Sequence, residues 1–404
     1  MREYLHKRDT DYVRDNLIFN YCLGNEQELL IESFLHNNQI DLDFNPQCFY
    51  FFMTGTHNKF VSPYTPDTFY SGISNYFEKD EATRHILQEN GYTGKPFLTK
   101  QDNSKQFGVF FSPQEETKIT PLEMAHKLYA TYTALGQGRA KHYLDRISTS
   151  FVGPYSGYAQ MHHAFMDARA LNDLYFFGVR DMVITKQFRE QTARPCDITA
   201  ILANIRRLTS TLCTGTKKEA LRQIDYLIDE MVAPSYSQLN FAALWAAFED
   251  VLSMFETVYP ERITVEHGTL ESFFTLEQYK QWAHRVVQTL YTQLEGLRRY
   301  SPTLLMVLSF INRNFTTDLS LSQLAEYAYT NASTLSSEFN DEVGMSLSEY
   351  VTSLRIQKAQ ELLLKTDMTV SEIAEASGFS GAKYFREIFK KQTGMSPQQY
   401  RDEF

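Results

Sequence analysis

The residues with the clearest capacity for chemistry lie near the end of the chain. Lys383, Arg386 and Glu387 stand at i, i+3 and i+4, a spacing that puts them on one face of a helix. An Arg on such a face can pair bidentately with guanine O6 and N7, and a Glu can accept from cytosine N4. Glu387 can instead orient Lys383 or Arg386 as a helix neighbour. Fifty residues earlier the same positions hold Ser333, Ser336 and Ser337, short and uncharged. Lys390, Lys391 and Arg401 follow the first set, and Lys358 precedes it. These cations are candidates for phosphate contacts, which add affinity by counterion release without reading sequence. For Lys358 and its neighbour Arg355, an ion pair within the protein is the alternative.

These positions belong to an internal repeat. Leu319 to Glu326 aligns with Met368 to Glu375 at an offset of 49, and Leu335, Phe339, Gly344-Met345-Ser346 and Tyr350 align with Phe385, Phe389, Gly394-Met395-Ser396 and Tyr400 at an offset of 50. One residue is therefore gained in the turn. Each copy reads as a short helix, a turn and a second helix stopped by glycine, a helix-turn-helix pattern. In the second copy the first helix spans 371–377, Gly378-Phe379 is the turn, and Ser380 caps a helix running to Gln392. Leu335, Phe339, Phe385 and Phe389 face the core. Between the copies, residues 348–366 form one helix, with Tyr350, Leu354, Ala359, Leu362 and Leu363 on its apolar face.

The second copy resembles the C-terminal signature of the AraC/XylS family of bacterial transcription regulators. The residues that carry the resemblance are Ile373-Ala374, Gly378-Phe379, Tyr384-Phe385, Phe389-Lys390, Gly394, Pro397 and Tyr400-Arg401, with Arg355, Ala359 and Leu362-Leu363 between the copies. It implies a double helix-turn-helix that binds duplex DNA, and RNA polymerase as a partner for an activator. The first copy departs from the family, because Asn340 and Asp341 stand where basic residues are common. Residues 301–404 hold nine Lys and Arg against thirteen Asp and Glu, net −4, yet 379–401 hold five against one. Positive charge is thus concentrated on the second unit.

Upstream, residues 1–190 read as an α+β domain. Helices are expected over 10–21, 122–135 and 158–176, and strands over 48–54, 107–111 and 142–151. This order resembles a degenerate GGDEF-like domain. Where an active diguanylate cyclase has Gly-Gly-Asp/Glu-Glu-Phe, this chain has Asn103-Ser104-Lys105-Gln106-Phe107, and the first strand, Phe51-Phe52-Met53-Thr54-Gly55, has no carboxylate. Without those acids there is no Mg²⁺ clamp for phosphoryl transfer. The candidates for an effector surface are the aromatic strand pair around Tyr50, Phe52, Phe107 and Phe110, or the segment from Tyr155 to Tyr158; core packing is the ordinary role of such aromatics. Residues 191–300 read as an all-α linker domain with helices over 198–212, 217–231, 239–257 and 276–299. In the last, Tyr279, Trp282, Val286, Leu290, Leu294 and Leu297 form a stripe, a candidate signalling helix or homodimer seam. Packing within its own domain is the alternative.

Composition narrows the function classes. The chain has 404 residues, enough for two to three domains. Its 39 basic against 49 acidic residues give a net charge of −10, which argues against coating nucleic acid by bulk charge. Cys22, Cys48, Cys196 and Cys213 show no metal-ligand spacing and are too few for a disulfide framework. His162 and His163 point about 100° apart on a helix, unlike an HExxH pair. No GxGxxG, Walker A or GxSxG motif occurs. The N-terminus carries mixed charge with no apolar signal segment. The expectation is a cytoplasmic, multidomain, non-enzymatic DNA-binding regulator with no cofactor or metal, a small-molecule effector of unknown identity, and a homodimeric state. The alternative is a protein-interaction or ligand-binding module.

Overall fold

Two aromatic runs, Phe49 to Met53 and Phe107 to Phe111, are apolar at nearly every position, the pattern of strands covered on both faces. They form neighbouring strands in the structure, a computed structural model that describes Ile18, Tyr21, Cys22, Ser33 and residues 43–56, 81–101, 104–137, 147–297 and 300–403. Strands β1 (Phe49–Thr56), β2 (Tyr92–Gln101), β3 (Ser104–Pro113), β4 (Ile147–Tyr155) and β5 (Val183–Thr185) make one sheet in the order β2-β3-β1-β4-β5. Only β4 and β5 pair in parallel among these neighbours. Helices α1 (residues 81–89), α2 (Pro121–Gln137), α3 (Gln160–Asn172) and α4 (Lys186–Thr192) accompany it.

Side chains alternate across the sheet. Phe49, Phe51, Met53 and Phe110 join Phe165 of α3 in one core; Phe52, Phe107, Val109 and Phe111 join Leu128 of α2 in another. The strand-pair aromatics named as one candidate effector surface therefore do not share one side of the sheet. Phe52 and Phe107, with Tyr50, lie on one side of the sheet, while Phe110, Tyr155 and Tyr158 lie on the other. The expected helix over 10–21 falls outside the described residues except for Ile18 and Tyr21, which are helical, and residues 142–146 of the third expected strand are likewise outside. β2 was not expected, since Gly94 and Pro96 interrupt its pattern; it is an edge strand, where proline is tolerated.

The chain divides into two compact units. The first takes residues up to Pro195 with 233–237 and 271–279, and the second takes 196–232, 238–270 and 280–404. The second thus combines most of the helical segment with the C-terminal helices. It contains α5 (Ile198–Thr214), α6 (Lys217–Asp225) continuing into a π-helical stretch over 226–232, α7 (Gln238–Val258), and most of α8 (Leu276–Gln293). α8 stops at Gln293 rather than continuing to 299. Its stripe is not a free seam, because Trp282, Val286, Leu290 and Leu294 are buried within this unit. Trp282 packs edge-on against Phe248 of α7, and its Nε1 donates to the Glu266 carbonyl at 3.1 Å. These contacts consume the apolar face that a partner helix would need.

The segment between α7 and α8 is strapped down by charge. Both nitrogens of His267 meet carboxylates of α7, Nδ1 with Glu249 at 2.6 Å and Nε2 with Glu256 at 2.7 Å. The same carboxylates accept from the Gly268 and Val265 amides. Two carboxylate partners, one at each ring nitrogen, favour the doubly donating, protonated ring.

The C-terminal helices build two small cores. Helices α9 (Pro302–Asn314), α10 (Leu321–Tyr327) and α11 (Ala332–Val343) enclose the first, with Leu308, Leu324, Leu335 and Phe339 at its centre. Helices α13 (Val370–Ala376), α14 (Ala382–Thr393) and α15 (Pro397–Glu403) surround the second, with Ile373, Phe385 and Phe389. α12 (Leu347–Lys365) closes both. Its Tyr350, Val351 and Leu354 enter the first core, and Ile356, Ala359, Leu362 and Leu363 enter the second. The apolar positions of α12 are therefore divided between two neighbours instead of forming the single face expected from periodicity. The units also touch at a turn: Gly378 has φ +85°, and a Cβ there would lie 2.6 Å from the Thr316 Cα and carbonyl oxygen.

Two outcomes follow from these contacts. The hydrogen bonds with Glu249 and then Glu256 raise the His267 pKa above 6.5, against partial burial. Its stabilisation is present below about pH 6.5 and is lost as pH rises through the raised value. Thermal melts should show wild type exceeding His267→Gln more at pH 6 than at pH 9, by about 1 kcal/mol or less after solvent screening; equal differences at both pH values would refute the clamp. Gly394 has φ +82° with nothing near its Cβ, so Gly394→Ala should cost about 1–2 kcal/mol in urea unfolding. Gly378→Ala adds a backbone collision and should cost about 2–4 kcal/mol; equal losses would mean the Thr316 contact is unimportant.

Candidate nucleic-acid interface

Local capping sets where the helices of each unit begin. Ser320 with Gln323 and Thr369 with Glu372 make reciprocal capping boxes at the starts of α10 and α13. The turns that follow both use a left-handed residue, Tyr329 at φ 52° in the first copy and Gly378 in the second. Asn331 then caps α11 through the Thr334 amide at 2.8 Å. The cap of α14 is Gly381, one residue beyond the expected Ser380, so no side chain of the cap residue bonds to the first turn. The residue gained in the second turn moves the helix start along the chain. Gly344 and Gly394, both left-handed, end α11 and α14 as expected.

With Phe385 and Phe389 fully buried, the other side of α14 is turned outward. Lys383, Arg386, Glu387, Lys390 and Lys391 are all exposed, and the first four follow at i, i+3, i+4 and i+7. They form one continuous polar face that matches a groove-entering helix. On α11 the equivalent residues are Ser333 and Ser337, exposed, and Ser336, half-buried. The Ser337 hydroxyl points to Asp341 at 3.5 Å, so that face is neutral to acidic. Glu342 is turned inward instead and accepts from the Ser301 amide at 2.7 Å.

The remaining cations divide by partner. Arg401 is half-buried: Nη2 donates to the Met368 carbonyl at 2.6 Å and Nε to that of Leu363 at 3.3 Å. Its guanidinium satisfies carbonyls around the end of α12 with two of its five N–H donors. Arg355 acts likewise at the end of α9, reaching the Phe315 and Thr317 carbonyls, each at 2.7 Å. Carbonyls at helix C-termini lack intrahelical partners, and a cation there also meets the negative end of the dipole. Lys358 pairs with Glu361 at 3.1 Å on the helix surface. The charge of Lys391 bears on Glu349, whose pKa is lowered first by hydrogen bonds from Ser346 and further by that lysine.

Tyr384 enters the sequence reading as part of the family signature, not as a candidate DNA contact. It is half-exposed beside Lys383, with its ring 6.3 Å from Phe379. The signal was present in the departure from amphipathicity at the start of α14, where an aromatic follows Lys383 on the solvent side.

The C-terminal segment has relatives among known proteins. Residues 324–403 match the helix-turn-helix domain family. The HTH-type transcriptional regulator YtdP of Bacillus subtilis is 37% identical over 97 residues, covering 24% of this chain and 13% of that protein. The bifunctional transcriptional activator/DNA repair enzyme AdaA of the same bacterium is 31% identical over 96 residues, covering 24% of this chain and 46% of that protein. The chain therefore spans less than half the length of either relative. The solved C-terminal domain of AraT, a response regulator from Geobacillus stearothermophilus, is 37% identical over 26% of this chain and 88% of its own, with a TM-score of 0.26. Because the matched segment begins in α10 and ends in α15, it takes in both motifs and the helix between them, and the C-terminal region of this chain belongs to the AraC-type helix-turn-helix DNA-binding domains.

Proposed function

We propose that the chain is a cytoplasmic, sequence-specific transcription regulator that binds duplex DNA through both helix-turn-helix units and answers to an effector or partner acting upstream. The observation that carries this reading is the outward face of α14, where Lys383, Arg386, Glu387 and Lys390 lie exposed on a helix whose opposite side is fully buried. Arg386 and Lys383 reach base edges, Lys390 and Lys391 neutralise phosphates, and Ser333, Ser336 and Ser337 make weaker contacts in an adjacent groove segment. All four cysteines are free thiols, in keeping with a reducing compartment, and no helix among the described residues is long and apolar enough to cross a membrane.

The upstream α+β domain acts as a degenerate GGDEF-like sensor rather than a catalyst. In support, β1 and β3 pair with Thr54 opposite Phe107 and Gly55 opposite Gln106. The end of the first strand and the segment replacing the signature thus come side by side, where two carboxylates would have to meet to clamp Mg²⁺. Thr54 instead accepts from the Thr149 hydroxyl at 3.2 Å, a neutral pair. A small molecule is the effector on this reading, RNA polymerase is the further partner of an activator, and a homodimer forms through a surface other than the α8 stripe.

Anisotropy titrations at several salt concentrations, on a duplex selected from a random library by the full-length protein, test the DNA contacts. Lys390→Ala should weaken all duplexes alike and reduce the salt slope by about one unit. Arg386→Ala should cost about 1–3 kcal/mol on the selected duplex and relax one base pair. Ser336→Ala should cost only about 1 kcal/mol. The division of labour is wrong if Ser336→Ala abolishes binding while Arg386→Ala leaves affinity and preference intact. Incubation of the protein with GTP and Mg²⁺ should yield no cyclic dinucleotide above a blank; turnover lost with Thr54→Ala would overturn the sensor reading.

A further inference from the structure

A chain of polar and aromatic contacts runs from the helical segment to the buried side of the first recognition helix, and it passes through Asn312. The Asn312 Nδ2 donates to the Thr257 carbonyl at 2.8 Å, in the last turn of α7. That carbonyl is among the last four of its helix and has no partner within it. The Asn312 Oδ1 accepts from the Tyr350 hydroxyl on α12 at 2.9 Å. The Tyr350 ring meets Phe339 at 5.6 Å and 69°, and Phe339 is the fully buried anchor of α11, the helix that carries Ser333, Ser336 and Ser337. Neighbouring contacts hold the same junction. Arg313 donates to Ser253 at 2.7 Å, Tyr259 stacks on Tyr300 at 5.8 Å, and Ser301 ties the start of α9 to Glu342 at the end of α11.

Among the described residues, the second helix-turn-helix unit has no such tie. Its core draws on residues 356–400 only, whereas Val258 of α7 packs against the first. A planar amide with both ends bonded transmits a rotation of α7 to Tyr350 and cannot absorb it by turning about its own bond without breaking one of the two. We infer that Asn312 is the positioning residue through which the helical segment sets the orientation of the first recognition helix, so that regulation acts on the weakly charged first unit while the second holds the DNA. This rests on the DNA-binding reading above for its consequence, but not for the coupling itself.

The test uses full-length protein carrying Asn312→Ala, Tyr350→Phe or both, with two measurements. Hydrogen exchange should rise across α11 in each variant and stay at the wild-type rate across α14, and the double variant should change no more than the stronger single one. On the selected duplex, affinity should fall about 5–20-fold, within the ordinary range of coupling between sites. Base preference should relax under the first unit and persist under the second, where Arg386 reads. The inference is overturned if exchange rises equally in α11 and α14, if it rises in neither, or if the two substitutions add independently. Failure of wild type to bind any selected duplex would remove the DNA-binding reading, and the exchange pattern would still decide the coupling.

Discussion

α12 is a wall common to two cores, and the C-terminal region depends on that sharing. The helix has 19 residues, about 28 Å at 1.5 Å per residue. One end gives Tyr350, Val351 and Leu354 to the first unit, and the other gives Ile356, Ala359 and Leu363 to the second. Around it stand helices of seven to thirteen residues, each too short to be stable alone in water. Burial against α12 supplies what helix propensity lacks. It also sets the spacing of the recognition helices, since neither unit can shift along α12 without opening its own core.

Arginine placement reinforces this frame and shapes the surface. Arg355 and Arg401 each satisfy two carbonyls near a helix end, and Arg313 bonds to Ser253 of α7. Three guanidinium groups are thereby engaged with protein acceptors. Among the described residues of the C-terminal helices, the exposed positive charge that remains is largely that of α14, with Lys383, Arg386 and Lys390 on one face. On a chain of net charge −10, a patch of this kind favours specific placement over indiscriminate adsorption to nucleic acid. The two units are thus alike in backbone and unlike in charge, which suits one for holding DNA and the other for being adjusted.

Upstream, packing on both sides of the sheet accounts for the wealth of aromatic residues. The continuous runs of β1 and β3 supply Phe51 and Phe110 to one core and Phe52 and Phe111 to the other. In the second unit, the His267 clamp and the Trp282 contact fasten the segment between α7 and α8 to both of those helices. α7 thereby carries the strap on one part of its surface and the junction with α9 on another.

Most features that depend on neighbours within a few residues were legible in the sequence, although the cap of α14 fell one residue beyond Ser380. The repeat, the turn glycines Gly378, Gly344 and Gly394, and the burial of Leu335, Phe339, Phe385 and Phe389 all follow from local spacing. So does the outward placement of Lys383 and Arg386, because a residue's side of a helix is set by its distance from the buried ones. Tertiary structure decided what each face meets. Periodicity revealed the Trp282 to Leu294 stripe but not that its partner is α7 in the same chain. It showed α12 to be apolar but not that two cores divide it. Arg401 matched a family position, yet its long side chain reaches carbonyls 33 and 38 residues away, and no spacing rule registers such a contact. β2 escaped because its place at the sheet edge, where Pro96 is tolerated, exists only once β3 has paired with both β1 and β2. Burial is written in local pattern, whereas the identity of the burying surface is a property of the assembled chain.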